Sequence, residues 1–122
     1  PQGGINEGEE PHTAALRELE EEIGAANVEI IGEIDEWLNY DLPPELLGQL
    51  WKGRFQGQTQ KWFAMRFLGD DIEINPTGVK NPEFNSWKWS RIEQIQEMAV
   101  PFKQAIYGKV VSEFTRFAKA IK

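Results

Sequence analysis

A chain of 122 residues, 40% hydrophobic, is enough for one domain around one core, and it contains no cysteine for a disulfide framework or a thiolate metal site. No apolar run is long enough to cross a bilayer and no signal-peptide pattern is read, so a cytoplasmic protein without membrane partners is expected. The net charge of −7 argues against a general nucleic-acid binder with a basic face, but not against an enzyme whose carboxylates hold a metal that meets phosphates.

The first element predicted along the chain is a helix over 11–23. Pro11 suits its first turn, where a missing N–H costs nothing, and Gly24 suits the stop, where positive φ is common. At ~100° per residue Glu18, Glu21 and Glu22 share one face, and Leu16, Leu19 and Ile23 form a neighbouring face that would seat the helix on a core. Like charges three and four residues apart destabilise a helix, so three of them call for a reason. Hard divalent cations supply one, since Mg²⁺ binds carboxylates together with substrate phosphates. The plainer reading is a solvated acidic face.

Downstream, Val28–Ile34 alternates as a strand, and 43–60 reads as a long connection with a short helical turn around 45–50. Lys61–Phe67 is a strand, Gly69–Asp71 a turn, Ile72–Ile74 a short strand and Asn75–Gly78 another turn. Ser86–Trp89 reads as a short aromatic strand whose two tryptophans support the sheet. A short helix over 91–98 follows, then one from Pro101 to about Ala118. The mixture indicates an α/β domain. Trp62 and Phe63 read as core, and His12, the single histidine, as solvated.

Gly3, five residues, Glu9, seven residues, then Arg17-Glu18-Leu19-Glu20-Glu21-Glu22-Ile23-Gly24 resembles the signature of Nudix hydrolases at every fixed place; only Ala25 is smaller than usual. The resemblance implies an α/β/α sandwich around a mixed sheet, with 1–122 as a single Nudix domain. In the family strands precede the glycine loop, whereas this sequence starts just before it. The expectation is therefore an N-terminally incomplete domain, either because the sequence is a fragment or because its first segment is supplied separately. Alone, such a chain would expose sheet edges that favour association.

The strings Pro1–Asn6, Trp37–Pro43, Gly57–Phe63, Glu73–Asn75, Pro82–Trp89 and Val100–Lys103 are similar to one Nudix branch, the bacterial RNA pyrophosphohydrolases and dinucleoside polyphosphate hydrolases. Residue by residue, the resemblance implies that Glu18, Glu21, Glu22 and Glu83 hold Mg²⁺, or Mn²⁺ or another divalent cation. A second reading of Glu83 is the base for the attacking water, and Arg17 orients the carboxylates through an i,i+4 pair with Glu21. Tyr40 and Phe102 would stack on a nucleotide base, Val100 would line that pocket, and Lys61 and Lys103 would lie near the phosphates and the base. Read without the resemblance, Tyr40 is an ordinary strand residue, Phe102 a helix core residue and Glu83 a loop carboxylate.

The implied reaction is hydrolysis of a phosphoanhydride, first of all removal of pyrophosphate from 5′-triphosphorylated RNA. The alternative is a dinucleoside polyphosphate hydrolase that releases ATP. A non-catalytic nucleotide-binding module is a third reading, against which the three intact motif glutamates stand. Oligomeric state is left open.

Overall fold

The structure, a computed structural model, describes residues 2–41 and 57–118. Contacts divide the chain into two compact units, one of Pro1–Gly32 with Phe63–Trp89 and one of Glu33–Trp62 with Ser90–Lys122.

In the first unit, the Asn6–Glu9 turn leads into helix α1 (Pro11–Ile23), with Pro11 in the opening turn as its lack of an N–H allows. Gly24 ends the helix in the left-handed region (φ 77°) and donates its N–H to the Glu20 carbonyl at 2.9 Å. The buried arc is not the one expected from the leucines. Ala14 and Glu22 are buried, Leu19 and Ile23 half-buried, and Leu16 is exposed. At ~100° per residue, Glu22 falls between Ala14 and Leu19, and Leu16 lies beyond the far edge of that arc. A carboxylate therefore occupies the middle of the inner face.

Strand β1 (Val28–Glu33) pairs with β4 (Phe63–Phe67). Their antiparallel sense follows from the flanking bonds, Leu68 N–H to the Asn27 carbonyl at 2.8 Å and Ile34 N–H to the Trp62 carbonyl at 3.1 Å. The Asn75 N–H donates to the Ile23 carbonyl at 2.7 Å, which ties the expected 75–78 turn to the end of α1.

Two expected strands are absent here. Asp71–Glu73 is a 3₁₀ turn in which the Glu73 carboxylate accepts the Asp70 N–H at 2.8 Å, leaving Ile72 in solvent and Ile74 buried. Ser86–Trp89 is irregular, and its tryptophans meet edge to face at 5.6 Å. Trp89 also lies 6.0 Å from Phe67 and donates its indole N–H to Asp71 at 3.0 Å. These local partners take the place of a ladder.

In the second unit, β2 (Leu38–Asp41) and β3 (Gly57–Gln60) form an antiparallel pair, with Leu38 opposite Gln60 and Asp41 opposite Gly57. The end of the expected 43–60 connection is thus a strand, while the helical turn expected at 45–50 lies outside the described residues. Helix α2 (Ile95–Met98) follows a 3₁₀ turn at Ile92–Gln94. Helix α3 (Gln104–Phe114) is entered through a 3₁₀ turn at Pro101–Lys103 and left through another at Thr115–Phe117, so the long C-terminal helix runs nearly as expected. Ile106, Val110 and Phe114, spaced by four, form its buried stripe. The helix lies against α2 and β2, and Tyr107 meets Trp62 edge to face at 5.5 Å.

Helices with small antiparallel sheets make the chain an α/β protein. Among the described residues no helix is long and apolar enough to cross a membrane.

Candidate active site

The glycine loop and α1 are locked together by one side chain. Arg17 donates through Nε and Nη2 to both oxygens of Glu9 (2.9 and 3.0 Å) and through Nη2 to the Gly4 carbonyl (2.8 Å). Its Nη1 reaches Glu18 (2.8 Å) and Glu21 (3.1 Å). A guanidinium has five N–H donors, and these contacts use all of them. The expected i,i+4 pair with Glu21 is present, but it is the longest of the five and its glutamate is the most exposed. The arginine raises no question of protonation, since its carboxylate neighbours, Glu9 first, raise its pKa further. The same Arg17 hydrogen bond holds the Glu9 carboxyl below its ordinary value.

Glu9 is the partner that the sequence reading left without a role. Its side chain also accepts the Asn6 N–H at 3.0 Å, which fixes the loop from within. The signal was available as a fixed place in the motif, eight residues before Arg17, a spacing that no single helix face would suggest.

Gly3 has a steric reason. A Cβ at this position would meet the Glu18 carboxylate, so any larger residue here would have to push that side chain aside.

Glu22 is 6% exposed and accepts the Gln2 N–H at 2.9 Å. Burial pushes its carboxyl pKa up, and Glu83, hydrogen-bonded to it within the same unit, pushes the same way. Glu83 itself borders an open depression lined by Thr77, Pro82, Phe84, Asn85 and Ser86.

The four expected metal ligands thus fall into two pairs, Glu18 with Glu21 on Arg17 and Glu22 with Glu83. Among the described residues no three acidic or histidine side chains converge as a ready-made cage. Glu18 and Glu21 take the nearest donor available, the Arg17 guanidinium. The chemistry of the set nevertheless fits a hard divalent cation. Every donor is a carboxylate oxygen, the ligand type that hard divalent cations take.

The expected substrate residues lie in the second unit. Tyr40 is on β2, paired in register with Gln58, though its side chain lies outside the described set. The 3₁₀ turn carrying Phe102 and Lys103 lies against β2, so the two halves of the expected base clamp sit on touching elements. Phe102 is half-buried, the Lys103 ammonium lies 5.9 Å from its ring centre, and Val100 is exposed. Lys61 is committed elsewhere. Its ammonium donates to the carbonyls of Ile34 and Asp35, both at 2.7 Å, and lies 3.3 Å from Glu33. Three acceptors match its three N–H donors, so in this arrangement it pins the turn between β1 and β2.

The NUDIX domain pattern matches residues 1–111. The RNA pyrophosphohydrolase of Rhodospirillum rubrum is 54% identical over 118 residues, covering 97% of this chain and 71% of that protein. The RNA pyrophosphohydrolases of Azorhizobium caulinodans (49% identical, 97% of this chain, 73% of theirs) and Agrobacterium fabrum (52%, 93% and 69%) are similar to the same extent. With the signature, its arginine clamp and a match over nearly its whole length, this chain belongs to the NUDIX domain family.

Proposed function

We propose that this protein is a Mg²⁺-dependent pyrophosphohydrolase that removes pyrophosphate from the 5′-triphosphate end of RNA. Family membership carries a general dependence on a divalent cation. The observation that supports the reading best is the buried Glu22 carboxyl paired with Glu83, in a chain about half identical to several RNA pyrophosphohydrolases.

In this reading Glu18, Glu21, Glu22 and Glu83 hold the cation. Bound there, a divalent cation neutralises phosphate charge and makes water more acidic, the contribution such ions bring to phosphoanhydride cleavage. Arg17 keeps Glu18 and Glu21 turned to one side of α1 and anchors the glycine loop against them. Glu83, the outer member of its pair, accepts the proton of the attacking water. Tyr40 and Phe102 grip the terminal base, where stacking is worth about 1–3 kcal/mol and tolerates different bases. Lys103 and Val100 border that grip.

The test offers 5′-triphosphorylated RNA and diadenosine tetraphosphate in competition, with Mg²⁺. Pyrophosphate release that outruns ATP release is expected. Faster ATP release would make the protein a dinucleoside polyphosphate hydrolase instead.

A further inference from the structure

Among the described residues Asn81 is the one non-glycine residue with positive φ (55°). Asparagine tolerates that conformation better than other side-chain-bearing residues, but any Cβ pays for it in crowding. Pro82 follows, with its own φ fixed by the ring and with added steric restriction on the residue before it. Glu83 comes next and hydrogen-bonds the buried Glu22. Residues 81–90 are exposed throughout and belong to no helix or strand, so no ladder aims this stretch of chain. The Asn81 side chain itself makes no hydrogen bond among the described residues. What the position contributes is therefore a backbone direction.

We propose that Asn81 and Pro82 form a rigid elbow that aims Glu83 at Glu22, and that Asn81 is a positioning residue for the metal site. The left-handed residue turns the chain, the proline holds the turn, and the carboxylate two residues beyond Asn81 arrives across from α1. The inference rests on the reading of Glu83 as a metal ligand.

The experiment measures Mn²⁺ affinity by electron paramagnetic resonance of the free ion, alongside hydrolysis and melting temperature, for wild type, Asn81→Gly, Asn81→Ala, Glu83→Gln and the Asn81→Ala/Glu83→Gln double variant. Glycine keeps the left-handed conformation without strain, so Asn81→Gly is expected to stay within about threefold of wild type. Asn81→Ala is expected to weaken Mn²⁺ about tenfold with little change in melting temperature, because the position is exposed. In the double variant the Ala substitution should cost nothing more than Glu83→Gln alone, since it acts through that carboxylate. Alanine binding Mn²⁺ as well as glycine, with Glu83→Gln impaired, would overturn the elbow alone. Unchanged affinity in Glu83→Gln would overturn the ligand reading and the elbow with it.

Discussion

Arg17 shows how much one side chain can organise when each of its donors has a fixed acceptor. It touches Glu9 and Gly4 in the loop and Glu18 and Glu21 on the helix, and the Glu9 contact is bidentate. A lysine has three donors from a single point and cannot reproduce that fork. Arg17→Lys is therefore expected to lower kcat/KM by about 10–100-fold, the range typical for residues that orient ligands, while the melting temperature moves little. Steady-state kinetics beside a thermal melt would check this, and an equal loss of fold and activity would contradict it. The arginine and its i,i+4 glutamate were legible in the sequence because helical spacing is local information. The link to Glu9 was not, because it depends on a loop folding back on the helix.

At the level of elements, local signals carried furthest where the chain closes its own hydrogen bonds. Pro11 and Gly24 bracket α1 in sequence as they do in the structure. Gly24 has only ordinary contacts around the place a Cβ would take, the nearest being Val79 at 3.5 Å, so its requirement is the positive φ. Gly24→Ala is expected to cost about 1–2 kcal/mol, read as a lower midpoint in urea at unchanged slope. Strands were less legible. Gly57–Gln60 has no apolar alternation and is a strand only because β2 pairs with it. Ser86–Trp89 alternates well and is not a strand, since Trp87, Trp89, Phe67 and Asp71 satisfy one another locally. In both cases the deciding partner is distant in sequence. The burial of Glu22 was hidden for a similar reason: on the helix alone it is one more acidic residue, and the spacing of the leucines points to a different inner face.

For the molecule as a whole, these carboxylates tie stability to pH with opposite signs. Burial raises the Glu22 pKa in the fold, so its contribution is fully present below the unfolded carboxylate pKa and is lost as pH rises through the folded value. Glu9 is lowered by Arg17, so its contribution is present above the unfolded pKa and is lost as pH falls through the folded value. In chelator, wild type is expected to lose thermal stability as pH climbs above the ordinary carboxylate range, and Glu22→Gln to lose less of it. Mg²⁺ should then stabilise wild type more than the variant, because only the wild type offers that charge to a cation. Melts across pH with and without Mg²⁺ would check this; parallel curves for the two proteins would refute it.

Trp87 and Trp89 stand only a few residues beyond Glu83, on the same irregular segment, with rings 5.6 Å apart and nearly perpendicular. Two indoles so close couple as transition dipoles, and the coupling depends steeply on their separation and mutual angle. The protein thereby carries an intrinsic chromophore pair beside its candidate site. Its circular dichroism offers a label-free gauge of whether the segment bearing Glu83 changes conformation during turnover.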